Sequence, residues 1–494
     1  MSEPARRVAI RARHVLAFDG RGHRLLRDGV VVVEGGRILY VGPRFDGTVE
    51  ATVDGGAGVL TPGLISTHAH IAGSPLDRSF IEDRGRPQFW YSGLFEMLPV
   101  RAGAQDAEAS RACVDFSMAE LLRGGVTTVM EIGGEGEYAV ERAAHFGLRL
   151  YMGLTFRSGQ WLTRDGRRVV WEWDEARGRE GLVRAVEFFR KHDGAHGDLV
   201  RCYWAPSQVD TCTPELLREA KRWADETRRP FTLHTSQSVV EFNEMLARHG
   251  VTPIAWLRDL GVLGANTVLG HAIVVGGSSW TNHPAGDVRI MGEAGCSVAH
   301  AVWVFARRGV IMESFARYKA AGINMSLGTD TNPQSVIDAM RWAAVCSKIA
   351  ERSTEATTAA DVFDAATLGG ARALGRDDLG RIAAGAVADL VLWKGASWGM
   401  TPLRDPVKNI VYNATAEDID RVWVAGRPVV EGGRVLAADE AAILAALQAG
   451  GERMWPRMER FDWAGRGADV LSPPTYPAFS AGTSTAPSEA SPSE

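Results

Sequence analysis

Two histidines one residue apart, His68 and His70, close the apolar run at residues 59–67. Alternate side chains of an extended strand share a face, so both imidazoles point the same way and form half of a metal site. The other half must come from elsewhere in the chain. Further apolar runs end in groups of the same kind: 230–233 in His234, 267–270 in His271, 296–299 in His300 and 324–329 in Asp330. Five of the twelve histidines therefore stand at the ends of strand-like runs, where chance would place about one or two. Three imidazoles and one carboxylate, from His68, His70, His234 and Asp330, suit a single divalent ion, Zn²⁺ ahead of Fe, Mn or Co, with one position open to water. The pKa of such a water falls toward ~7. Asp330 would accept its proton, His271 would hold the nucleophile or polarise a carbonyl, and His300 would touch the substrate. His283 sits in a Trp-Thr-Asn-His-Pro loop stretch and is read as non-ligating, and the remaining histidines as surface or structural.

Ligands so far apart in the chain meet only if the fold gathers strand ends. Strand-like runs recur at 59–67, 127–132, 149–156, 199–205, 230–233, 267–269, 297–299 and 324–327. Helix-patterned stretches lie between them, among them 110–123, 181–191, 214–227, 239–249 and 335–352. Eight such units over residues 61–375 predict an α/β fold, a (β/α)8 TIM barrel whose working residues sit at the C-terminal strand ends. The rival, a doubly wound open sheet, has no Gly-x-Gly-x-x-Gly opening turn here.

Short strands at 8–10, 15–18, 29–34 and 37–41, with the turn Glu34-Gly35-Gly36-Arg37, precede the barrel. Others at 389–392, 420–424 and 429–430 follow it. Residues 1–60 and 376–435 are therefore expected to build one small β-sandwich from both termini. A terminal helix or extension is expected over 436–470 and a disordered Ser/Pro/Thr/Ala-rich tail over 471–494.

Composition narrows the class. Hydrophobic residues at 45% and charged ones at 23% are those of a soluble globular protein. A net charge of −5 argues against nucleic acid as a partner. Five cysteines without CxxC pairing read as reduced thiols. No signal core and no membrane-length run is visible, so a cytoplasmic protein without membrane contact is expected.

The motif Thr61-Pro62-Gly63-Leu64-Ile65 leading into His68-Ala69-His70, the ending Ser326-Leu327-Gly328-Thr329-Asp330, and the segment 366–375 continuing through Leu379-Gly380-Arg381 to Asp389 resemble one family. It is the amidohydrolase superfamily, in the branch holding S-adenosylhomocysteine and guanine deaminases and the triazine hydrolases. The resemblance implies a barrel with a terminal β-sandwich, His68, His70, His234 and Asp330 as ligands, and His271 as the catalytic histidine. Binuclear members carry a Lys or Glu at the fourth strand end. Residues 199–207 hold neither, so one ion is expected.

One departure bears on the reaction. The deaminase branch has His-x-x-Glu after strand five, where this chain has His234-Thr235-Ser236-Gln237. An amide cannot give and recover a proton as a carboxyl does. Hydrolysis of an amide, urea or carbamate needs no ring protonation, so a hydrolase of non-peptide C–N bonds is expected, with Gln237 as a substrate clamp. The alternative is an aminohydrolase or dechlorinase of a purine, pterin or triazine, with Glu131 or Glu241 supplying the acid, although both carboxylates read more simply as ordinary packing or surface groups. A non-catalytic scaffold is the minor alternative.

Aromatic loops surround the expected mouth: Phe89, Trp90, Tyr91 and Phe95 after strand one, Trp161, Trp171 and Trp173 after strand three, and Trp303 after His300. Trp90, Trp161 and Trp303 are expected to contact an aromatic or hydrophobic small-molecule substrate. The same rings would equally pack loops or form a subunit interface, as in the homodimer expected here. Arg84 and Arg86 in the first loop could read a carboxylate, although exposed arginines are common in such loops.

Overall fold

The structure, a computed structural model, describes residues 6–80 and 86–479. Arg84 lies outside the described residues.

The N-terminal segment forms one unbroken strand, Val8–Phe18, with buried and exposed residues alternating across Ile10–His14. Arg11 and Arg13 point outward while Ala12 and His14 are buried, so the two short strands expected there are one. This strand pairs antiparallel with His23–Glu34, from Val8↔Val33 to Phe18↔His23. The chain's far end joins the same sheet where Leu390–Trp393 pairs antiparallel with Val59–Pro62. Arg37–Gly42 and Ala51–Asp54 from the N-terminal side, and Ile419–Val424, Arg427–Glu431 and Arg434–Val435 from the C-terminal side, extend it to nine strands among the described residues. Ile10, Val31, Ile38, Leu60, Leu390 and Trp423 share one apolar cluster, so both termini contribute to a common interior.

The middle of the chain forms parallel sheets of five and four strands. In order they are β1 (Leu64–Ala69), β2 (Val126–Gly133), β3 (Arg149–Phe156), β4 (Val200–Cys202, resumed at Ala205–Pro206), β5 (Phe231–Thr235), β6 (Thr267–His271), β7 (Ser297–His300) and β8 (Asn324–Leu327). The first sheet holds β1 to β4 and the second β5 to β8. Parallel backbone bridges join them at both seams, Trp204↔Phe231 and Gln208↔His234 on one side and Ala69↔Asp330 on the other. Helices connect successive strands, as parallel pairing demands. Two of them, Pro214–Thr227 and Val239–His249, have the bounds their periodicity predicts. The helix Glu175–His192 begins earlier than its apolar pattern, because Asp174 caps it by accepting from Arg177 N and its first turn is polar.

Two tethers hold the terminal sheet to the parallel strands. Arg149, at the start of β3, makes a two-pronged buried pair with Asp389, both contacts at 3.2 Å. Ile65, Met130, Tyr151 and Tyr203 pack with Leu374, Leu379 and Val387. After β3 the chain makes an antiparallel hairpin, Gly159–Thr163 with Val169–Trp173, in what the sequence suggested was loop. The helix Glu440–Met454 packs on Ala107–Arg123. Leu471 is buried with Leu76, Phe80 and Met454, so the packed chain runs past the boundary expected for the tail. Residues 480–494 of that tail lie outside the described residues. Among the described residues no helix is long and apolar enough to cross a membrane.

Candidate metal centre and active site

β1 delivers His68 and His70 at its end, where the chain is clamped to the residue after β8. Asp330 N donates to His68 O at 2.9 Å and His70 N donates to Asp330 O at 2.7 Å. This interlock fixes the Asp330 backbone against those of the two histidines, with its carboxylate beside the His70 and His271 rings. Asp330 has φ of +57°, a left-handed conformation that Asp and Asn tolerate better than most residues. Glycine is required beside His68: a Cβ on Gly270 would lie 2.8 Å from His68 Nδ1, and one on Gly328 would lie 2.7 Å from His68 Cβ. The small residues preceding His271 and Asp330 thus let the strands close around the imidazole.

The backbone also sets the tautomers. His70 Nδ1 donates to Ile132 O at 2.9 Å and His234 Nδ1 donates to Ser207 O at 2.7 Å. Each ring then presents a bare Nε2 lone pair inward, the state a metal ligand needs. Those two Nε2 atoms face each other at 3.0 Å. His68 Nε2 is buried without a protein partner among the described residues. His70 Nε2 lies 3.5 Å from Asp330 Oδ1, and His271 Nε2 lies 3.6 Å from Asp330 Oδ2. Ligand atoms of His68, His70 and His234 fall within 4.8 Å of one another, as do those of His68, His271 and Asp330.

Burial drives the imidazoles toward neutrality. It lowers His70 and His234 to about 4, and His68 and His271 well below the usual value, with neighbouring imidazoles adding to the effect in His68, His234 and His271. Burial raises Asp330 against the pull of His234 and nearby arginines. Neutral histidines with convergent, partnerless lone pairs beside one carboxylate fit a divalent cation well.

A cavity of about 460 Å³ opens over this cluster, lined by His70, His234, His271 and Asp330 together with Gln237 and Trp90. Other expected contacts lie outside its lining. Trp161 packs edge-on against Phe95 at 5.2 Å, and its indole turns to Gln208. Trp303 packs against Trp342 at 5.3 Å, and His300 is buried at the end of β7 near Phe315. Arg86 pairs with Glu96 at 3.0 Å, away from the metal ligands. His283 is half-buried and contacts the ring of Phe242.

Glu241 is buried with its carboxyl accepting from Ser236 N and Gln237 N, so it shapes the turn after β5. Glu131 accepts from Ile71 N at 2.7 Å, lines the cavity, and is pushed by burial up to about 8. Arg157 and Gln208 also line the cavity and escaped the sequence reading. Their positions follow the ends of β3 and β4, so reading polar residues as well as histidines at strand ends would have found them.

The model of the amidohydrolase family matches residues 59–429. The chain belongs to the amidohydrolase family. It is similar to the 5-methylthioadenosine/S-adenosylhomocysteine deaminase of Desulforudis audaxviator, at 27% identity over 89% of this chain and 96% of that one. It is also similar to the 5'-deoxyadenosine deaminase of Methanothermobacter thermautotrophicus, at 28% identity over 86% and 94%. Among solved structures, a zinc-bound adenosine deaminase from Xanthomonas campestris superposes with a TM-score of 0.78 at 25% identity, covering 92% of this chain and 99% of that one. The triazine hydrolase of Arthrobacter aurescens shares the fold with a TM-score of 0.78 at 23% identity, over 90% and 99%. As a member of this family the chain is a metal-dependent hydrolase of carbon–nitrogen bonds other than peptide bonds.

Proposed function

We propose that the chain holds one zinc ion through His68, His70, His234 and Asp330 and hydrolyses a small molecule at an amide, urea or carbamate carbonyl. The observation that carries this choice of bond is Gln237, which lines the cavity three residues after His234 and offers an amide where ring deamination calls for a carboxylic acid. Glu241 does not make good the loss, because its carboxyl is engaged by the backbone of Ser236 and Gln237. Arg149–Asp389 and the shared terminal interior support a (β/α)8 barrel carrying a β-sandwich made from residues 1–60 and 376–435.

When bound, the ion supplies Lewis acidity and a water of lowered pKa. The protein supplies proton handling and alignment. Asp330, with its proton affinity raised by burial, takes a proton from the nucleophile and returns it to the leaving nitrogen. His271, 3.6 Å from the Asp330 carboxylate, holds the developing oxyanion or relays that proton. Gln237 fixes the substrate by hydrogen bonds that do not change its protonation.

A second reading is deamination of a purine-like ring. It is supported by the named activities of the relatives and by Glu131, whose carboxyl stays protonated to about pH 8 at the cavity wall. Incubating zinc-loaded protein with amides, ureas, carbamates and aminoheterocycles separates the two. Release of amine with a carboxylate or carbamate is expected. Ammonia from aminoheterocycles alone would transfer the assignment to the second reading, and no turnover of any compound would overturn both.

A further inference from the structure

The amide of Gln208 has a defined direction. Trp161 Nε1 donates to Gln208 Oε1 at 3.0 Å. An indole N–H only donates, so the amide oxygen must face the tryptophan and the NH2 group must face away. Gln208 is 5% exposed, and its Nε2 has no protein partner among the described residues while the side chain lines the cavity. An amide donor that faces a cavity from a mostly buried side chain, with no protein partner, is free to bond an acceptor on a ligand.

Its mount is rigid. Gln208 bridges His234 across the seam between β4 and β5, and Val209 N donates to His234 O at 3.0 Å. Trp161 belongs to the hairpin after β3, where it stands opposite Trp171 in register. Trp171 Nε1 donates to Asp210 Oδ2 at 2.9 Å, so two cross-strand indoles grip residues 208 and 210 together. Arg248 stacks over Trp171 and Trp173 at 5.1 and 5.0 Å, and donates to Asp210 O at 2.8 Å. Arg157, at the root of this hairpin, lines the same cavity and has no carboxylate partner among the described residues. This wall therefore offers donors.

We propose that Gln208 reads a hydrogen-bond acceptor of the substrate, a carbonyl oxygen or ring nitrogen next to the scissile carbon, and that Trp161 is its positioning residue. The inference deepens the proposed function and rests on it for the location of the scissile bond. The substrate class follows: compounds whose reacting carbon neighbours a second acceptor, such as acylureas, imides or nitrogen heterocycles.

Calorimetric titration of zinc-loaded protein tests this without requiring turnover. The probes are benzamide, hydantoin, 5'-deoxyadenosine, and the 1-deaza and 3-deaza analogues of 5'-deoxyadenosine, each lacking one ring acceptor. At least one acceptor-bearing probe is expected to bind, and Gln208→Leu to weaken it about tenfold or more. Trp161→Phe keeps the ring, so it should weaken the same probe less and add nothing in the Gln208→Leu background. Equal affinity in wild type and Gln208→Leu, additive losses, or no binding of any probe overturns the proposal. Gln208-dependent binding without hydrolysis would overturn only the proposed function. Hydrolysis indifferent to Gln208→Leu would overturn only this inference.

Discussion

His70 and His234 face each other through Nε2 atoms 3.0 Å apart, while each ring spends its Nδ1 proton on a backbone carbonyl. Two lone pairs cannot bond to one another, so a cation is the natural third party. Elemental analysis is expected to find one divalent ion per chain. His234→Ala should reduce metal affinity by at least the ~10–100-fold seen when supporting groups alone are removed. Chelation should lower the melting temperature of wild type and leave His234→Ala nearly unmoved, since ligand binding stabilises only a site that exists. Equal metal content in the two proteins would remove His234 from the centre.

Asp330→Asn tests the carboxylate with little penalty to the fold. Asn accepts the left-handed backbone at this position, and both backbone bonds to His68 and His70 survive the change. The amide cannot take a proton, so turnover is expected to fall ~10²–10⁴-fold or more. Circular dichroism and melting should stay close to wild type. Undiminished kcat would strike Asp330 from the mechanism.

The legibility of this chain was uneven for physical reasons. Strand-end histidines were readable because parallel strands are buried on both sides, leaving short apolar runs that stop at the working residue, as 267–270 stops at His271. The helix 214–227 was readable because Thr213 caps it and Pro214 opens it. The hairpin after β3 was not seen, although Asp165-Gly166 between its strands is a known turn signal, because its strands are only five residues long and Val-Val-Trp-Glu-Trp in the second shows no clean alternation of apolar and polar residues. Trp161 lies in the first strand of that hairpin and Trp303 in the short helix Val302–Ala306, and which way each ring turns is decided by neighbours far away in sequence, here Gln208 and Trp342. Gly270 and Gly328 show the reverse: both sit in the sequence motifs, yet their purpose is visible only with His68 beside them.

Gln237→Glu examines the position that decides between the two readings of function. The residue lines the cavity, so a carboxyl there would meet substrate. Activity toward aminoheterocycles is expected to rise ~10²-fold, the lower end of what a positioned acid gives. The new group would stand beside the buried Glu241 carboxyl, which already accepts from Gln237 N at 3.4 Å, so some stability should be lost. Ammonia release measured on a panel of aminopurines and aminotriazines reads the outcome. An unchanged rate with intact zinc content would show that the acid is not what deamination lacks here.

His300 gives a stability test independent of turnover. Burial lowers its pKa from 6.5 to about 4, and Nδ1 has no partner among the described residues. In the unfolded chain the imidazole takes its proton as pH falls through about 6.5, whereas in the folded chain it waits until about 4. The unfolded state therefore binds more protons across that window, and stability falls as pH falls through it and is flat above. Integrated over the window, the single group accounts for about 3 kcal/mol. His300→Gln removes the titration, so its stability relative to wild type should improve by about that amount between pH 7 and pH 4. Urea unfolding of both proteins at intervals across this range, with chelator present throughout, measures the difference. Parallel pH profiles would mean that His300 is not held neutral by its surroundings.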